Sequence, residues 1–175
     1  DLSAVICPPY DIISPQMQQE LYQRSEYNFV RIESGRELPQ DTATDNKYTR
    51  AAATTRQWLA QGILQVEEQP AIYIHDHHFT HRQKGYRRRS MVATVRLEEW
   101  DRRIVRPHEG TLLNPKSDRL SMLWACQANT SPILALYEDP AQQLASLLAQ
   151  PAKNKPMISF DSGEERHEVW PVTQP

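Results

Sequence analysis

Two short stretches hold residue types whose spacing could do chemistry. The first is Pro8-Pro9-Tyr10-Asp11. Two prolines fix their own φ and push the preceding residue to extended geometry, so this stretch is not helical. They hold Tyr10 and Asp11 in a defined presentation with little entropy left to lose. A rigid turn whose Asp satisfies backbone donors accounts for the same residues, and composition does not separate the two readings. The second stretch runs from Arg106-Pro107-His108-Glu109-Gly110-Thr111 to Asn114-Pro115-Lys116-Ser117-Asp118-Arg119. It predicts a polar loop feeding a helix N-terminus, where free backbone N–H groups meet Lys116 and Arg119. Such an arrangement suits a phosphate or a carboxylate. Glu109 and Asp118 could hold a divalent cation or act as a base. The bland alternative is a capped helix with surface ion pairs.

Two other clusters attract notice and carry less. His75, Asp76, His77, His78 and His81 lie in one apolar-alternating segment. Alternation along a strand sends His75 and His77 to one side and Asp76 and His78 to the other, short of the converging set a transition metal needs. No structural metal is expected there. Arg82, Lys84, Arg87, Arg88 and Arg89 make the same segment basic, but only Tyr86 offers a stacking platform, so a nucleic-acid partner is not expected. Gly-rich phosphate loops, dinucleotide fingerprints and nucleophile elbows are absent from the sequence.

The elements that must position these residues follow from pattern. Asp1–Ile6 reads as the edge of a strand. Ser14-Pro15 opens a short helix with Met17 and Leu21 inward. Asn28–Ile32 alternates like a strand, and residues 34–46 form a polar loop. Asp45–Ala60 reads as a helix with Tyr48, Ala51, Ala52, Thr55 and Leu59 on one face, stopped by Gly62. Ala71–Phe79 and Arg88–Glu98 predict a hairpin turning at Lys84-Gly85, with Met91, Ala93, Val95 and Leu97 on one face of its second strand. Leu120, Leu123 and Trp124 should form the buried stripe of the helix after Asn114-Pro115. Ile133–Tyr137 reads as a strand, Asp139-Pro140 caps a further helix ending before Pro151, and a last hairpin turns at Asp161-Ser162-Gly163. Strands and helices mix without a βαβ rhythm. The expected fold class is therefore α+β, with a mixed or mainly antiparallel sheet, hairpins and several packed helices, as one region over residues 1–175.

Composition narrows the function classes. In 175 residues, 39% hydrophobic and 24% charged content is ordinary for a globular chain, and a net charge of -2 gives no global pull toward nucleic acid or anionic membrane. No apolar run approaches the ~20 residues of a membrane span. Cys7 and Cys126 form no disulfide framework, which fits a reducing cytoplasm. The missing initiator Met and the strand-like ends suggest a piece of a longer protein.

At these residues the sequence resembles the conserved prokaryotic family called domain of unknown function 1015. The resemblance rests on Pro8–Ile13, Asn28-Phe29-Val30-Arg31, Trp58–Leu64 and Ala71-Ile72-Tyr73. It continues through Pro107–Thr111, Lys116 with Asp118-Arg119, and Asn129 with Ser131-Pro132. Members are roughly twice this long, which implies a missing C-terminal half as partner. That half carries an Asp-Gly-His-His-Arg motif resembling one in ParB-like kinases of free serine. The resemblance thus implies an ATP-dependent kinase phosphorylating free L-serine, with ATP and Mg2+ as cofactors and a small-molecule substrate. A non-catalytic nucleotide- or amino-acid-binding module is the alternative. In the kinase reading Lys116 and Arg119 hold phosphates, with Thr111, Ser117 and Asp118 beside them. Glu109 or Asp11 takes the substrate proton or Mg2+, His108 orients, and Tyr10 lines the pocket. Asp11 is expected to open onto the same cleft as Arg119.

Overall fold

A computed structural model describes residues 1–107, 110 and 113–173, the side chains of 113–115 excepted. Five α-helices and a four-stranded antiparallel sheet make it an α+β fold. The chain divides into two compact units, one of residues 1–66 with 98–132 and the other of residues 67–97 with 133–175.

The first unit is helical. Ser14 accepts the Met17 N–H through its side chain, and Pro15 occupies the first turn of α1 (Pro15–Arg24). A single turn, α2 (Val30–Glu33), follows where alternation predicted a strand. Asn28 explains the difference. Fully buried, it accepts the Val30 N–H at 3.0 Å and donates to the Ala4 and Ile6 carbonyls at 2.8 and 2.9 Å. One side chain thereby starts the helix and ties down the N-terminal segment. That segment forms a 3-10 turn at Leu2–Ala4 rather than the expected strand edge.

Helix α3 (Lys47–Ala60) begins at a reciprocal capping box between Asn46 and Thr49. It ends before Gly62, whose φ of +71° is costly for any side chain. Its Ala51 and Ala52 are buried as expected, but Trp58 replaces Leu59 on the inner face. Helix α4 (Leu113–Cys126) corrects the predicted stripe. Leu120, Leu123 and Trp124 are exposed, and Met122 is the buried residue. Met122 packs with Ile32, Ala51 and Trp58, joined by Cys126. The inward face is therefore the i, i+3, i+4 row 118, 119, 122 and 126. A charged pair, Asp118-Arg119, points inward because partners there satisfy it.

The second unit is built on the sheet, in the order β2-β1-β4-β3. Strands β1 (Ala71–His81) and β2 (Lys84–Val92) form the first hairpin. Its two-residue turn is Arg82-Gln83, both at positive φ, two residues before the predicted turn. Strand β2 ends at Val92, so Val95 and Leu97 lie outside the sheet and exposed. Residues 133–137 likewise form no strand, contrary to expectation. Asp139 caps α5 (Gln143–Ala149) by accepting the Gln143 and Ala145 N–H groups. Strands β3 (Ile158–Ser162) and β4 (Glu165–Thr173) close the predicted second hairpin, with Gly163 at φ +64°. Leu148 of α5 packs on Ile74 and Trp170, one face of the sheet.

Candidate functional site

Arg119 is the hub of the first unit's polar interior. Its Nε and Nη2 donate to Asp118 Oδ2 at 3.0 and 2.5 Å. Nη2 also donates to the Glu33 carbonyl at 3.1 Å, and Nη1 lies 3.3 Å from Glu33 Oε1. Nη1 further donates to Ser131 Oγ, whose hydroxyl in turn donates to Glu33 Oε1. Above this fork the Tyr10 ring stacks, with 3.9 Å between its centroid and the guanidinium carbon. A planar guanidinium suits both tasks at once, because its edge donates while its face meets the aromatic ring.

Helix α3 supplies the other half. Lys47 Nζ and Tyr48 Oη both reach Asp118 Oδ1 at 2.9 Å, and Lys47 also pairs with Glu37. Burial alone would raise the Asp118 pKa, but Lys47, Arg119 and Tyr48 hold its carboxyl below the usual range. Burial works against the Lys47 charge as well, and Asp118 with Glu37 holds its ammonium above the ordinary lysine range. Asp118 is thus a firmly ionised group and a weak base. It is suited to holding charge rather than to removing a proton.

Glu33 is the most enclosed member, 4% exposed, and its Oε2 is buried without a hydrogen-bond partner among the described residues. Burial and the Glu33 charge push the Cys7 thiol up to about 12. A cysteine so placed is a proton-holding, unreactive neighbour.

The expected site residues are placed unevenly. Tyr10, Asp118 and Arg119 come together. Asp11 is exposed, with no hydrogen bond or ion pair among the described residues, so Tyr10 and not Asp11 makes the link between the two motifs. Lys116 and Ser117 are exposed on the first turns of α4. His108, Glu109 and Thr111 lie outside the described residues, and Asn114 and Pro115 fall in the first turn of α4 with their side chains outside the described ones. Pattern reading missed Glu33, Lys47 and Tyr48. Glu33 follows a segment read as a strand, while Lys47 and Tyr48 look like ordinary first-turn residues until Asp118 is brought across. Ser131 was visible only as part of the family resemblance.

The histidine segment also differs from expectation in one respect. Its donors do alternate along β1, but β4 lies alongside and sets His167 opposite His77. His77, Glu165 and His167 bring their donor atoms within 4.8 Å of one another. Convergence is achieved between strands, which a single-strand count does not register.

Comparison with known families places the whole chain. Residues 1–175 match the family described as Protein of unknown function (DUF1015), and the chain belongs to that family. No curated protein and no solved structure matches it. Among the described residues no helix is long and apolar enough to cross a membrane.

Proposed function

We propose that this chain is part of an ATP-dependent kinase acting on a free amino acid, with L-serine as the substrate the family resemblance favours. One observation carries the reading. Tyr10, Asp118-Arg119 and Ser131, from three stretches through which the sequence resembles its family, meet at a single guanidinium. Phosphoryl transfer asks a protein chiefly for positioning and charge neutralisation. The cluster mixes Lys47 and Arg119 with Glu33 and Asp118, which matches a zwitterion better than a bare phosphate. In this reading Lys47 and Arg119 meet the substrate carboxylate, Asp118 orients those two cations, and Tyr10 forms a wall. Lys116 and Ser117, exposed at the start of α4, are left for ATP phosphates together with Thr111. Both Asp118 oxygens are engaged by Lys47, Tyr48 and Arg119. Mg2+ therefore falls to Asp11 or Glu109, one of which also takes the substrate proton while His108 orients it. ATP supplies the phosphoryl group when bound.

The test is 31P NMR detection of O-phosphoserine from ATP and L-serine. A longer protein that adds the Asp-Gly-His-His-Arg half should form it, and residues 1–175 alone should not. The engagement of Arg119 by two carboxylates favours a second reading, a binding module without catalysis. Serine or ATP binding by the longer protein with no phosphoserine formed would decide for that module and against the kinase.

A further inference from the structure

The second unit carries a donor cluster that the kinase reading leaves unused. We infer that His77, Glu165 and His167 form a binding site for a transition-metal dication of the zinc type, with a fourth position open to solvent or a ligand. The juxtaposition comes from sheet register. His77 and His167 are directly paired across β1 and β4, so their side chains rise on the same face, and their rings stack with centroids 4.6 Å apart. Glu165, two residues before His167 on β4, shares that face. Its Oε2 lies 2.9 Å from His77 Nε2 and 3.9 Å from His167 Nε2. Two imidazoles and one carboxylate are a donor set that zinc takes in open tetrahedral sites.

The surroundings support this assignment. His75 Nε2 lies 3.0 Å from His167 Nδ1, the ring atom that faces away from Glu165. That contact fixes the ring so that Nε2 is the ligand, the usual role of an outer partner on a metal-bound histidine. Phe79 lies tilted against His77 and Phe160 stacks on His167, each with centroids 5.0 Å apart, and together they wall the cluster with apolar surface. The His77 and His167 side chains are only 13% and 18% exposed, whereas Glu165 is 50% exposed and leaves a way in.

One residue opposes the metal. Arg88 Nη2 donates to His77 Nδ1 at 3.1 Å. Guanidinium cannot accept, so His77 Nδ1 accepts and its Nε2 carries the proton given to Glu165. A metal on Nε2 displaces that proton to Nδ1 and turns Arg88 away. Arg88 is exposed and free to move into solvent. Removing it should tighten binding, since both a competing hydrogen bond and a nearby positive charge are lost.

The experiment titrates Co2+ into the tag-free, chelator-treated chain and follows the visible absorption of a low-symmetry cobalt site, with Zn2+ as competitor. One equivalent should bind and be displaced by Zn2+. Glu165→Gln, at an exposed position that tests the site without disturbing packing, should weaken binding at least about 10-fold, as should His77→Ala and His167→Ala. Arg88→Ala should strengthen it, and His81→Ala at the hairpin tip should leave it unchanged. No stoichiometric Co2+, or binding that survives both Glu165→Gln and His167→Ala, would overturn the assignment.

Discussion

Asp76 shows how a single buried charge is kept. It is 2% exposed, and Arg89 meets both its oxygens, Nε at 2.7 Å and Nη2 at 2.6 Å. Burial would raise its pKa, but the Arg89 fork keeps the carboxyl below the usual range. Replacing Arg89 by Met takes both hydrogen bonds from the buried carboxylate and leaves it only the longer Arg87 contact at 3.9 Å. Urea denaturation should show a loss of about 3–5 kcal/mol, and adding Asp76→Asn should restore part of it. Asp76 and Asp118 share the same sign of pH dependence. Both carboxyls are depressed, so their stabilisation is fully present above the unfolded value of about 3.9 and is lost as pH falls through the folded values. Melting temperature should therefore drop steeply below pH 4, after a smaller decline between pH 7 and 5 because burial holds the His75 and His167 pKa values below the ordinary range and the unfolded chain protonates first. Cys7 gives a third residue-scale expectation. With its thiol pushed up to about 12, iodoacetamide at pH 8 should label it far more slowly in the folded chain than in urea.

Among the elements, α3 was the most legible and also carries part of the candidate site. Its small-residue face and its glycine stop can each be read from residue type, because the helical period and a left-handed stop are local effects, whereas the expected start at Asp45 passed over the Asn46 cap. Asn46→Ala removes the acceptor for the Tyr48 and Thr49 N–H groups and should cost about 1 kcal/mol in thermal or chemical unfolding. That substitution also loosens the turn holding Lys47 and Tyr48 on Asp118. The hairpins were legible for the same local reasons, although Arg82-Gln83 turns without the usual Asn or Gly and so hid its position. What failed to show were elements decided by distant partners. Asn28 made α2 a helix by bonding to Ala4 and Ile6, more than twenty residues away. In α4, apolarity pointed to Leu120, Leu123 and Trp124. The ionic partners of Asp118 and Arg119 on α2 and α3, with the Ser131 hydroxyl as a hydrogen-bond acceptor, turned the other face inward.

At the scale of the whole chain, the two motifs first singled out are joined by an aromatic ring and an arginine rather than by the carboxylate of Asp11. Tyr10 on one side and Glu33, Lys47 and Asp118 on the other make Arg119 the group on which the functional reading depends. Arg119→Lys keeps the charge and gives up both the planar fork and the ring face, so it separates electrostatics from geometry. The most direct measurement is calorimetric titration of L-serine into the longer protein, comparing wild type with Arg119→Lys after both are shown to melt cooperatively. Wild-type binding weakened at least about 10-fold in the variant, equivalent to ~1.4 kcal/mol, is the predicted result. Equal serine affinity in the two proteins, or none in the wild type, would contradict the placement of the substrate at Arg119.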